Sequence, residues 1–175
     1  MQSSFCKDAV ALTLTFEILL ELLKKQAFIE LTGSWKLLRV FVENWSSLSE
    51  EQRDDLLPAL EARYGQFKDW MAPFVISGIS GECYRDNRAL EALGRLKKCK
   101  SEIPRSFVVH GFEHLVTDSL DKRVADRALE HLKEMGQDES DVVRAEVNES
   151  LSKINKRLHS DRRDPQYCRS LSWSR

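Results

Sequence analysis

Arg88-Ala89-Leu90-Glu91-Ala92-Leu93 returns as Arg127-Ala128-Leu129-Glu130-His131-Leu132, a shift of 39 residues that decides the fold. The same shift carries Arg105 onto Arg144, Val108 onto Val147, Phe112 onto Leu151 and Leu115 onto Ile154. A period of that length is the signature of a repeat architecture, in which each unit buries its apolar face against its neighbours. In the second copy Val124, Ala128, Leu132 and Met135 recur every three or four residues. This places one apolar stripe on a helix that Gly136 is positioned to end in the left-handed conformation. Val143, Val147, Leu151, Ile154 and Leu158 form the stripe of the next helix, while Arg144, Glu149, Lys153 and Lys156 fall elsewhere. Glu149 and Lys153 stand one turn apart and favour a helix through their opposite charges.

The run Gly136-Gln137-Asp138-Glu139-Ser140-Asp141-Val142-Val143-Arg144, continued by Val147, Leu151 and Ile154, resembles the turn and second helix of a HEAT repeat. Arg127 to Met135 resembles the first helix. The likeness is clearest over 124–154 and weaker over 88–115, where Ile103-Pro104-Arg105 replaces Val-Arg and Phe112 replaces leucine. The resemblance implies an all-α fold, a short right-handed α-α superhelix of about four HEAT-like helical hairpins. It implies a partner protein bound along the concave, second-helix face. It also implies that Arg144 contacts an acidic turn residue, for which Asp138 is the matching candidate, so that both serve structure.

The 175-residue chain is one domain by size, and 42% hydrophobic with 31% charged residues describes a globular protein. A net charge of −1 lacks the basic footprint of a general nucleic-acid binder. Cys6, Cys83, Cys99 and Cys168 are spread without a C-x-x-C spacing, which fits reduced thiols and a cytoplasmic setting. Cys99 extends the stripe of Ala89, Leu93 and Leu96 and is expected to be buried, leaving Cys83 as the more exposed thiol.

Asp8 to Leu31 reads as a long core helix, too short in its apolar run and too charged, with Glu17 and Glu21, to span a bilayer. Ser34 is placed to cap a second helix running to about Trp45. Ser49-Glu50-Glu51-Gln52 has the spacing of a capping box and opens a third helix, which Pro58 should kink and Gly65 should end. A fourth carries Phe67, Trp70, Met71, Phe74 and Val75. The expected division is a single domain over 1–158: divergent hairpins over 1–76, a Gly-rich linker over 77–85 and the repeats over 86–158, with a mobile polar tail over 159–175.

His110-Gly111-Phe112-Glu113-His114 fits H-x-x-E-H, which on a helix can hold zinc with Glu113 as general base. This gives one alternative, a zinc-dependent hydrolase. The repeat shift instead carries His110 and His114 onto Glu149 and Lys153, ordinary polar-face positions. The primary expectation is therefore a non-enzymatic module, such as a neutralising or immunity-type inhibitor, binding a protein through His110, His114, Glu149 and Lys153. No catalytic residue, cofactor or metal ligand is assigned. The His-Glu dipeptides of HEAT-like di-iron hydroxylases do not occur. A HEAT-like DNA-binding or DNA-repair protein is the remaining alternative, resting on Trp35, Trp45 and Trp70, which at helical spacing beside leucines are better explained as core.

Overall fold

The structure is a computed structural model describing residues 16–161, with side chains to 157. The expected beginning of the first helix, Cys6, Cys168 and most of the expected tail lie outside the described residues. All regular structure within them is helical, and none of the helices is long and apolar enough to cross a membrane. The chain runs through α1 (16–23), α2 (Gln26–Ile29), α3 (Ser34–Glu43), α4 (Glu50–Arg63) and α5 (Met71–Gly78), which passes directly into a π-helical segment, Ile79–Tyr84. Then follow α6 (Asn87–Leu96), α7 (Glu102–Asp118), α8 (Lys122–Met135) and α9 (Asp141–Asp161).

The 39-residue shift pairs helices of matching order along the chain. It relates α6–α7 to α8–α9, whose equivalent stripe residues Val108 and Val147, and Leu115 and Ile154, are all buried. It also relates two hydrogen bonds. Arg105 Nη1 donates to the carbonyl of Cys99 at 2.9 Å, and Arg144 Nη1 donates to the carbonyl of Asp138 at 2.5 Å. Helices α3, α5, α7 and α9 touch in succession, and α4, α6 and α8 do so beside them. The apolar core lies between these rows, with Leu38, Leu60, Ile76, Leu93, Phe112 and Leu132 essentially inaccessible.

Several local expectations change. The first helix is broken rather than continuous to Leu31. Phe16, Leu19 and Leu23 hold one stripe, but Phe28 and Ile29 are buried out of phase with it. A turn at Lys24–Lys25 brings them inward, and Arg63 Nη2 holds the exposed Lys24 carbonyl at 2.8 Å. Ser34 does not cap α3: Gly33 occupies the cap in the left-handed conformation and Ser34 is the first helical residue, buried. Gly136 ends α8 in the right-handed region, φ −63°, not the left-handed one. The capping box at Ser49 and Gln52 forms as expected, and α4 continues through Pro58 to Arg63 before a 3-10 turn over Tyr64–Gln66. Pro73 sits in the first turn of α5, where its missing N–H breaks no helical bond. The boundary expected at 158 moves outward, since α9 extends to Asp161.

The linker expected over 77–85 is helix as far as Tyr84. Ser77, Ser80 and Gly81 are buried there because their small side chains let the segment lie against α7, and Ile79 is buried as part of the apolar core. Gly81 faces Gly111 so closely that a Cβ at 81 would stand 2.4 Å from the Gly111 carbonyl oxygen. Ser80 Oγ donates to the carbonyl of Ile76 at 3.0 Å, a back-bond of the kind that bends helices. Arg85 closes the segment in the left-handed conformation, φ 55°, its carbonyl accepting from Ser119 Oγ at 2.8 Å. Both halves of the chain are pinned together nearby. The buried Tyr64 hydroxyl donates to the carbonyl of Pro104 at 2.7 Å and receives the proton of Ser77 Oγ at 2.7 Å.

Candidate functional site

The Gly81–Gly111 contact brings the residue after Gly81 against the histidines flanking Gly111. Glu82, His110 and His114 each present one ligand atom, and these atoms all lie within 4.8 Å of one another. Glu82 Oε1 stands 3.0 Å from His114 Nε2 and 3.8 Å from His110 Nε2. Glu82 sits in the π segment that continues α5, and π turns are frequent at functional sites.

Each ring is held by a second partner. His114 Nδ1 lies 2.9 Å from Asp118 Oδ2, one turn along α7, and the carboxylate can only accept, so Nδ1 carries the proton. The other Asp118 oxygen accepts from Arg157 of α9 at 3.4 Å. Burial opposes the Asp118 charge, yet hydrogen bonds from His114 and Thr117, with Arg157 nearby, hold it below the usual carboxylate range. His110 stacks on Phe74, ring centroids 4.8 Å apart and planes 13° from parallel. Burial, then the charge of His114, push the His110 imidazole down, favouring its neutral form.

A face extends outward from this cluster along α5, α7 and α9. Trp70 stacks on Phe107 at 6.0 Å, Phe107 meets Phe74 edge-on at 5.5 Å, and Phe74 passes the contact to His110. Trp70 is 62% exposed, which corrects the expectation that it is core; Trp35 and Trp45 do pack against the core. On α9, Glu149 pairs with Lys153 at 2.8 Å. Lys153 and Glu113 are within electrostatic reach of His110. Burial, followed by the charge of Glu149, raises the Glu146 carboxyl above its ordinary value, with Glu113 adding to the effect. The four residues expected to share a face, His110, His114, Glu149 and Lys153, thus lie in one electrostatic neighbourhood.

The H-x-x-E-H reading needs Glu113 beside the two histidines. Glu82 is the carboxylate that shares the cluster of ligand atoms with them, while Glu113 lies within electrostatic reach of His110 and of Glu146 and Lys153 of α9. Asp118 was missed in the sequence, although it continues the four-residue spacing of His110 and His114 and could have been found by it. Glu82 could not have been, because its approach depends on a glycine contact between distant segments. Arg144 does contact Asp138, through its carbonyl, and also bonds Asp141, while the Asp138 carboxylate itself pairs with Arg105. One further expectation is corrected. Cys83 is not an exposed thiol: burial, reinforced by the Glu82 charge, pushes it up to about 11, away from the reactive thiolate.

Comparison with protein-family models, curated proteins and solved structures finds no match to this chain.

Proposed function

We propose that this chain is a non-enzymatic protein-binding module of HEAT-like stacked hairpins that engages a basic partner through the α5–α7–α9 face. The observation that carries this reading is the aromatic ladder Trp70–Phe107–Phe74, whose outer ring remains 62% exposed and whose inner ring stacks on His110, a residue within electrostatic reach of Glu82 and Glu113 as well as Lys153, on a face where the carboxylates of Glu82, Glu113, Glu146 and Glu149 outnumber that lysine. An exposed tryptophan anchored from below is the type of residue that dominates binding energy at interfaces. Surrounding carboxylates accelerate encounter with a positively charged surface and select against an anionic one. A neutralising role, in which the face covers a basic site on its partner, fits this chemistry.

The test compares proteins retained from native lysate by the tagged chain and by its Trp70→Ala and Glu149→Arg variants. A stoichiometric partner lost from both variants, with their melting temperatures unchanged, supports the reading. Retention insensitive to both substitutions overturns it.

A further inference from the structure

Two carboxylates flank one imidazole: His114 gives Nδ1 to Asp118 and turns Nε2 toward Glu82. A neutral His114 protonated on Nδ1 would aim a lone pair at the Glu82 oxygen 3.0 Å away. Either a second proton or a cation must occupy that line. An imidazolium would satisfy Glu82 and Asp118 but would leave unexplained the second imidazole beside them. His110 Nε2 stands 3.8 Å from the same Glu82 oxygen, beyond hydrogen-bond range yet aimed into the same small volume. A tetrahedral ion with bonds of about 2.0–2.2 Å separates its ligands by about 3.3–3.6 Å, between the two observed spacings to Glu82.

We propose that Glu82, His110 and His114 bind a divalent transition-metal ion, with Asp118 as the positioning residue for His114. The donor set of two imidazoles and one carboxylate suits Zn²⁺ and related ions and is poor for Mg²⁺ or Ca²⁺, which take oxygen ligands. Metal-ligating histidines almost always donate their other ring N–H to a carboxylate or carbonyl, and the His114–Asp118 bond is that contact. Stacking on Phe74 fixes the ring plane of His110. The rings remain partly open, with side-chain exposures of 26% for His110 and 21% for His114, so an ion can enter from solvent. Three protein ligands leave a coordination position for water or an outside donor. The site requires no partner protein and stands independently of the binding role.

Calorimetric titration of the chelator-treated full chain with Zn²⁺, and visible absorption with Co²⁺, test the site. One Zn²⁺ per chain with micromolar or tighter affinity is expected, together with the absorption of low-coordinate Co²⁺ and no response to Mg²⁺. Glu82→Gln, which keeps the shape of the side chain, and His114→Ala should each weaken Zn²⁺ binding at least tenfold. Asp118→Asn should weaken it about 10–100-fold. His131→Ala, which removes a histidine bonded to Lys97 and Glu134, should leave it unchanged. Failure of the wild-type chain to bind Zn²⁺ overturns the proposal in favour of an imidazolium bridging two carboxylates. Binding that survives Glu82→Gln undiminished, or that falls equally with His131→Ala, also overturns it.

Discussion

Arg105 clamps Asp138 with two hydrogen bonds, Nε to Oδ2 at 3.1 Å and Nη2 to Oδ1 at 2.9 Å, joining α7 to the turn that precedes α9. Its remaining Nη1 donates to the carbonyls of Cys99 and Lys100, so one side chain closes the turn of its own hairpin and holds the turn of the next. The guanidinium is 8% exposed and the carboxylate 14%, so each is poorly hydrated without the other.

Removing one member of a buried pair leaves the other charge uncompensated. Arg105→Ala is expected to destabilise the fold by about 3 kcal/mol in denaturant titration. A loss below the error of extrapolation would show that the turns are held by packing alone.

The same pair sets a pH dependence. Burial works against the Asp138 charge, but the Arg105 hydrogen bonds and the Ser140 N–H together lower its folded value. The unfolded value is about 3.9, so this contribution is complete above that pH and is lost as pH falls through the lower folded value. Asp138→Asn should flatten the acid limb of the stability–pH curve relative to wild type. An unchanged slope would assign acid unfolding to other carboxylates.

Tyr64→Phe removes the hydroxyl that joins Ser77 to the carbonyl of Pro104. The carbonyl loses its donor and the serine its acceptor in a buried setting, and the expected cost is about 1–3 kcal/mol by thermal or chemical unfolding. A near-neutral effect would mean that water enters to replace the hydroxyl.

Gly81→Ala forces a methyl group against backbone, because the nearest atom is the Gly111 carbonyl oxygen at 2.4 Å. Overpacking of this type costs about 1–3 kcal/mol. The π segment must back away from α7, carrying Glu82 from His114, so Zn²⁺ affinity should fall with stability. Gly78→Ala is the control, since its Cβ would meet only a flexible Glu82 oxygen at 3.8 Å.

Trp70→Ala should leave the melting temperature nearly unchanged, because most of the ring faces solvent. A drop comparable with that of a core truncation, about 3–5 kcal/mol, would show that the indole supports Phe107 and α5 rather than awaiting a partner.

The repeat was readable because α7 and α9 carry the same stripe at the same spacing, and both Arg105 and Arg144 bond the carbonyl six residues behind them. The all-α class followed from that periodicity. The cross-hairpin partner of Asp138 was not readable, since two arginines at equivalent positions compete and only packing decides which guanidinium reaches its carboxylate. Gly78 and Gly81 read as a hinge from local propensity, yet α7 presses against Gly81 and makes its small size, not freedom of rotation, the useful property there. The histidine pair was visible in the sequence; its acidic neighbour was hidden by the same tertiary contact.

The π segment turns chain length itself into a determinant of the site. Helical residues are turned by about 100° from one to the next, so deleting one position from 79–81 would re-phase Glu82 relative to everything before it. The loops between helices can absorb such a change in residue count, but α5 runs into this stretch without one. Substitution tolerance and length tolerance therefore diverge here: Ile79 can give way to another apolar side chain, whereas a single-codon deletion would swing the acidic ligand off the histidines while leaving the composition of the chain almost untouched.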